Sequence, residues 1–239
     1  MTASGRWESF DVEGMKEQMR HIKIRHFFLV FLVLGMTFNL LSEGRAEQKP
    51  SLAILPFFIE KGEDPGRGAV CPVCKGVFQK GEILGSAPII LNRLLYQKVE
   101  TLKVFDLLSP ERVERFLPPG RKEEIGQRPL PSLIQLGKEM KVDFLLAGFI
   151  FRFEERVGSS LGVEKPASVG FDLHLFRMRD GKRVWEAKFD ETQKPLSEDL
   201  LRIGAFFRRK ASWLTAEELA TVGMDEVLKR FPGPKELEE

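Results

Sequence analysis

The chain has 239 residues and a formal net charge of +2, with 43% apolar and 30% charged residues. These values are typical of a globular protein rather than a disordered one, and the length is enough for one domain behind a leader. The near-neutral balance offers no basic field to attract nucleic acid and no acidic field to collect cations, so we expect no nucleic-acid partner.

Residues 19–46 have the three parts of a bacterial secretion signal, in order. Lys23 and Arg25 supply the positive start, residues 27–41 are apolar, and the segment ends in small residues at Ala46. An apolar run of this length rises about 22 Å as a helix, less than the roughly 30 Å of a bilayer core. We therefore predict a cleaved signal peptide rather than a membrane span.

The signal divides the chain into four predicted parts. Residues 1–18 precede the signal and are either an extended positive start or a mis-assigned one, in which case Met19, or else Met15, is the true first residue. Residues 47–231 form a single domain, and residues 232–239 form a flexible tail. No cysteine precedes Cys71, so the lipid-attachment cysteine of a bacterial lipoprotein is missing. We expect a periplasmic protein that touches a membrane only peripherally or through partners.

The first half of the domain alternates strands and helices. The predicted elements are a buried strand at 51–59 that bends at Pro56, a long loop at 60–84, a helix at 86–102, a strand at 103–108, a short helix capped by Ser109, an exposed polar stretch at 121–128 and a helix at 130–140. The buried face of the helix at 86–102 carries Leu91, Leu94, Leu95 and Val99.

Residues 142–157 form the strongest predicted strand. Its start is apolar on both faces, as in the centre of a sheet, and its end alternates with Phe149, Phe151 and Phe153 inward. This pattern places the strand in the middle of the fold.

Residues 169–189 predict a β-hairpin. A three-residue loop from Asp180 to Lys182 would place Leu175 opposite Ala187 and gather the apolar side chains on one face, which a two-residue loop would not. Gly181 would then adopt a left-handed conformation.

Two helices are predicted after the hairpin. Ser197 caps the first, at 198–207, and Thr215 with Glu218 forms the capping box of the second, which runs to Phe231. The predicted fold class is α/β of the α+β type: a mixed sheet with a C-terminal β-hairpin and helices packed on it, in a single domain.

The motif Cys71-Pro-Val-Cys74 is the sharpest in the chain. In an oxidising compartment two close cysteines most often form a disulfide. The same spacing can supply half of a tetrahedral zinc site, whose other two thiolates would then come from a second copy in a dimer. A redox-active pair requires a helix N-terminus, and covalent haem requires a histidine where Lys75 stands. We expect no resident cofactor, with zinc at Cys71 and Cys74 as the alternative.

After signal cleavage, His174 is the only histidine. It shares a strand face with Asp172, a pair that could do acid–base work in a small hydrolase. No nucleophile signature accompanies the pair, so we interpret His174 as an ordinary strand residue and assign no catalytic residue.

A basic and aromatic cluster near the C-terminus is a candidate interaction surface. It consists of Arg208, Arg209, Lys210 and Trp213. Such a cluster can contact anionic headgroups or a partner, although a solvated helix end with inward aromatic side chains has the same composition.

Residues 51–57, the helix at 91–99, the strand at 142–150 and the hairpin around Asp180-Gly181 resemble a bacterial envelope superfamily. Its members include the amino-terminal domain of the Tol–Pal translocation protein, the curli secretion-channel lipoprotein and lipoprotein activators of peptidoglycan synthases. The likeness covers most of residues 51–193. It implies a mixed sheet and protein–protein contacts at the envelope, carries over no catalytic residue, and offers no counterpart for the cysteine loop.

The sequence therefore predicts a non-enzymatic periplasmic adaptor that helps to assemble or regulate a cell-envelope machine. Its expected partners are envelope proteins, and the sequence leaves open whether the chain also forms a dimer. The alternative is a thiol–disulfide or zinc-binding protein that acts through Cys71 and Cys74.

Overall fold

The computed structural model describes residues 49–60, 68–194, 212–233 and 236–237, all within one compact unit that spans residues 49–239. The predicted signal and the predicted helix at 198–207 lie outside these residues. Within the described ranges, no helix combines the length and the apolar character needed to cross a membrane.

Ten strands and five helices make up the described part of the chain. The strands are β1 (Ser51–Ile54), β2 (Phe58–Ile59), β3 (Ala69–Val70), β4 (Val77–Phe78), β5 (Asp106–Leu107), β6 (Phe144–Glu154), β7 (Val157–Gly158), β8 (Val163–Lys165), β9 (Ser168–Arg177) and β10 (Lys182–Thr192). The helices are α1 (Ala87–Leu102), α2 (Pro110–Glu114), α3 (Pro119–Gln127), α4 (Pro129–Met140) and α5 (Ala216–Leu228).

Six of the strands form a mixed sheet, which confirms the predicted fold class. The order is β10-β9-β6-β1-β5, and β2 pairs with β6 beyond the end of β1. β1 runs parallel to β5 and β6, whereas β9 is antiparallel to both β6 and β10. Two small hairpins, β3–β4 and β7–β8, stand apart from this sheet.

The bend predicted at Pro56 separates β1 from β2. Proline has no backbone N–H for the ladder, so pairing stops there. The backbone N–H of Phe57 donates instead to the side chain of Asn92 on α1, at 2.8 Å. The break therefore ties the first strand to the first helix.

The first face of the sheet carries aliphatic and aromatic side chains and is covered by α1 and α5. Leu146 on β6 and Leu173 on β9 meet Leu91 on α1 and Leu219 on α5 in one core. Thr215 and Glu218 form the predicted capping box at the start of α5. The predicted buried stripe of α1 is also confirmed.

The second face is covered by α2, α3, α4 and the small hairpin β3–β4. Leu133 and Leu136 of α4 and Ile125 of α3 pack there against Leu145 of β6. Most of the polar stretch at 121–128 is exposed, as predicted, but α3 forms there and buries Ile125 completely.

The phenylalanines of β6 do not all lie on the same face of the sheet. Phe149 and Phe151 lie in the core of the second face, whereas Phe153 lies in the core of the first. A bulge between Ile150 and Arg152 inserts one residue and reverses the alternation. The prediction that the three phenylalanines share one side is therefore wrong for Phe153.

The turn between β9 and β10 also differs from the predicted three-residue loop. Residues 178–181 separate the strands, and Leu175 lies opposite Trp185 instead of Ala187. The register shifts just before Trp185, and this irregularity keeps the apolar side chains of both strands on one face. Gly181 has the predicted left-handed conformation, with a φ of 70°.

Candidate metal centre

The segment predicted as a long loop contains β3 and β4, which are joined by the turn that carries both cysteines. The backbone N–H groups of Val73 and Cys74 lie 3.4 Å from Cys71 Sγ, and that of Gly76 lies 3.3 Å from Cys74 Sγ. Lys75 takes a left-handed φ of 64° so that the chain can fold back on the sulfur atoms. Amide donors of this kind favour the thiolate, which is the form that binds a metal.

Asp172 and His174 lie on β9 and project from the second face, under this turn. Cys71 Sγ lies 3.3 Å from His174 Nε2, and Cys74 Sγ lies 3.7 Å from Asp172 Oδ2. His174 Nε2 and Asp172 Oδ2 are 3.1 Å apart. One ligand atom from each of the four residues lies within 4.8 Å of the other three. The fold thus gathers four metal-binding side chains at one point.

These side chains are withdrawn from water. Cys71, Asp172 and His174 are buried, and Cys74 is half-buried. Asp172 Oδ1 and His174 Nδ1 are buried without a hydrogen-bond partner. Buried polar atoms of this kind destabilise a fold unless a partner or an ion compensates them.

Without a positive ion, the surroundings of Cys71 disfavour the thiolate form of its side chain. Burial raises the pKa of the Cys71 thiol well above its ordinary value, and the neighbouring Asp172 carboxylate raises it further. A divalent cation would reverse this effect, since it binds the thiolate and attracts the carboxylate.

The β3–β4 hairpin is also anchored by apolar and polar contacts beside the cysteines. The ring of Phe78 stacks on Phe151 with 3.8 Å between centroids, and Lys188 Nζ lies 4.0 Å above the Phe78 ring. The backbone N–H of Gln79 donates to Asp190 at 3.1 Å. The turn therefore has a defined position over β9.

The types of ligand atom at this point indicate which metal the four residues could bind. Two sulfurs, one imidazole nitrogen and one carboxylate oxygen are ligands of zinc, which is usually four-coordinate in structural sites. Calcium and magnesium prefer oxygen ligands throughout. The residues present fit zinc.

The cysteines were recognised in the sequence as a candidate site, whereas the roles of Asp172 and His174 were missed. The sequence pattern that could have revealed them is the presence of two polar residues within an otherwise apolar strand. The same chain thus offers four candidate ligands, whereas the sequence-based hypothesis took two of them from a second copy. Both cysteines are free in the structure, and a disulfide between them stays the alternative to a metal site.

The hydrolase alternative for Asp172 and His174 does not fit this environment. Their side chains are only 2% and 1% exposed, and the cysteine turn lies over them. A substrate therefore has no access to the pair.

The basic and aromatic cluster is described only at Trp213. The backbone N–H of Trp213 donates to the carbonyl of Ser160 at 2.9 Å, and the side chain of Arg156 donates to the carbonyl of Trp213. Arg208, Arg209 and Lys210 lie outside the described residues, so this interaction surface stays a prediction.

No family model matches the chain, and no curated protein matches it significantly. Solved structures do match its fold. PelC from Paraburkholderia phytofirmans, a dodecamer, is 12% identical over 78% of this chain and 91% of its own, with a TM-score of 0.42. The C-terminal domain of LpoB from Salmonella enterica is 10% identical over 65% and 92%, with a TM-score of 0.35.

A lipoprotein from Neisseria meningitidis is 14% identical over 68% of this chain and 98% of its own, with a TM-score of 0.36. At such low identity and structural similarity, the matches say nothing about what this chain binds.

Proposed function

We propose that this chain is a zinc-binding envelope protein, and that Cys71, Cys74, Asp172 and His174 hold the ion. The observation that carries the proposal is the convergence of four ligand atoms within 4.8 Å of one another. Zinc joins the β3–β4 hairpin to β9, two parts of the chain that are about one hundred residues apart.

Charge balance supports this assignment. Two thiolates and the Asp172 carboxylate carry three negative charges in a buried place, and zinc offsets two of them. Lys188 lies directly opposite Asp172 in the β9–β10 ladder and adds a positive charge nearby. Without the ion, burial and the neighbouring Asp172 carboxylate both raise the pKa of the Cys71 thiol and so disfavour its thiolate.

The coordination supports a structural role. Four protein ligands complete a tetrahedral zinc site and leave no position for a substrate or a water molecule, whereas catalytic sites keep one position open. The ion would therefore stabilise the fold around it, and the domain would act through contacts with other proteins.

The place of action is the bacterial envelope. The predicted secretion signal and the resemblance of residues 51–193 support a periplasmic adaptor that takes part in assembling or regulating an envelope machine. Its partners would be envelope proteins. In a periplasm, zinc at the two cysteines would also keep them from forming a disulfide.

The test is metal analysis of the exported protein, purified from the periplasm without chelators. We expect one zinc ion per chain, lost in Cys71→Ser and His174→Ala. Asp180→Asn, a substitution in the distant β9–β10 turn, is the matched control and should retain the metal. A metal-free protein with an intact Cys71–Cys74 disulfide would overturn the proposal. Zinc that depends on the cysteines alone would exclude Asp172 and His174 as ligands.

A further inference from the structure

The His174 ring presents its two nitrogen atoms to different surroundings. Nε2 faces Cys71 Sγ and Asp172 Oδ2, at 3.3 Å and 3.1 Å. Nδ1 lies on the other edge of the ring. The inference that follows rests on the proposed zinc site, in which Nε2 is the ligand atom.

A neutral imidazole that binds a metal through Nε2 carries its proton on Nδ1. In His174 this nitrogen is buried and has no hydrogen-bond partner. The rings of Phe149 and Phe176 flank the imidazole, with centroids at 6.0 Å and 6.5 Å. Because the His174 side chain is only 1% exposed, an acceptor for the Nδ1 proton has to come from the protein.

Glu186 is placed to supply that acceptor. It lies directly opposite His174 in the β9–β10 ladder, and its Oε2 is 3.9 Å from Nδ1. The Glu186 side chain is 52% exposed, and a shortening of this distance by less than 1 Å brings Oε2 within hydrogen-bond distance of Nδ1. The Arg183 guanidinium, 3.2 Å from the same oxygen, holds the carboxylate near the ring.

We propose that Glu186 is the positioning residue of the zinc site. Its carboxylate accepts a hydrogen bond from Nδ1–H of His174, fixes the tautomer that leaves Nε2 free for zinc, and increases the basicity of the ligand. Outer carboxylates that hold a metal-binding histidine in this way commonly change metal affinity by about 10-fold to 100-fold.

The test is a zinc titration of the reduced exported protein against a chromophoric chelator. We expect Glu186→Ala to weaken zinc binding by about 10-fold or more. Glu186→Gln keeps an acceptor oxygen but loses the charge, so its affinity should lie between that of Glu186→Ala and the wild type. Glu123→Ala, which removes an exposed carboxylate on α3, is the control and should bind zinc as tightly as the wild type.

Two readouts separate positioning from a general structural effect. The melting temperature of the metal-free protein should be the same for Glu186→Ala and wild type. In the zinc-bound wild type, the Nδ1 proton of His174 should give a slowly exchanging signal by NMR, and Glu186→Ala should lose it.

The outcomes are distinct for the two proposals. If the wild type binds no zinc, the zinc site itself fails. If the wild type binds zinc and Glu186→Ala binds it equally tightly, the role of Glu186 is overturned and the zinc site stands. The same conclusion follows if Glu186→Ala instead lowers the melting temperature of the metal-free protein.

Discussion

The two faces of the sheet are stabilised in different ways. The first face is covered by α1 and α5, helices of 16 and 13 residues whose inward side chains are apolar. Among the described residues, part of the second face is covered by the β3–β4 hairpin, whose strands have two residues each. So short a hairpin buries a small apolar area, chiefly at Ala69 and Phe78, so its apolar contacts stabilise it less than those of α1 and α5. Beside these contacts, Cys71, Cys74, Asp172 and His174 gather at one point.

The strand β9 shows this contrast within one run of residues. Leu173 and Leu175 point to the first face and join its apolar core. Asp172 and His174 point to the second face and meet the cysteine turn. Alternation along a single strand therefore supplies an apolar core on one side and the side chains of the proposed metal site on the other.

The largest effect should follow removal of zinc. Chelation should remove about 4 kcal/mol of the free energy of unfolding, relative to protein in a thousandfold excess of zinc over its dissociation constant. The loss should concentrate on the second face, so that residues 69–78 exchange their amide protons faster while α1 and α5 stay protected. Hydrogen exchange with mass spectrometry would measure both. Equal protection of the hairpin before and after chelation would contradict the contrast between the faces.

A cavity on the first face should lower the free energy of unfolding by slightly less than the removal of zinc does. The zinc ion should stay bound. Leu91 is fully buried against the sheet, and Leu91→Ala should lower the free energy of unfolding by about 3 kcal/mol. Urea denaturation would measure the loss, and metal analysis should still find wild-type zinc content. Ile89→Ala, at a 71% exposed position on the same helix, is the control and should change little. Loss of zinc in Leu91→Ala would show that the two faces are not independent.

The capping box of α5 should contribute about 1 kcal/mol. Thr215 Oγ1 accepts from the backbone N–H of Glu218 at 3.2 Å, and Thr215→Ala removes that bond. Thr215→Ser keeps the hydroxyl and should restore most of the stability. The midpoint of urea denaturation measures both variants. An Ala variant as stable as the wild type would mean that packing alone holds α5 on the first face.

The smallest effect is expected at the β9–β10 turn. A hydrogen bond from Arg177 lowers the pKa of Asp180 from 3.8 to about 2. A lowered pKa stabilises the folded state above pH 3.8, and the contribution disappears as the pH falls through about 2. Asp180→Asn should therefore be slightly less stable than wild type at neutral pH, and the difference should vanish in acid. The comparison is made on metal-free protein, since acid also releases zinc. A constant difference across this range would exclude the ion pair as its cause.

Local features of the fold could be read from the sequence. The helix α1 with its buried stripe, the N-cap at Ser109, the bend at Pro56 and the left-handed Gly181 all depend on residues within a few positions of one another. The sequence also showed a cysteine pair with metal-binding spacing.

The register of the sheet could not be read in this way. The bulge in β6 and the register shift near Trp185 depend on how three adjacent strands pair at once. Alternation within one strand predicts which residues share a face, but an inserted residue reverses that face. The predicted face of Phe153 and the predicted cross-strand partner of Leu175 are wrong for this reason.

The sequence by itself determined half of the candidate site, because Cys71 and Cys74 are close along the chain. Only the tertiary structure decided the other half. Asp172 and His174 are 98 and 103 residues away from their cysteine partners, and their spacing on a strand fits an ordinary sheet as well as a metal site. What distinguishes them is the cysteine turn lying over this face of β9. That arrangement depends on the packing of the hairpin against the whole sheet, which no local pattern encodes.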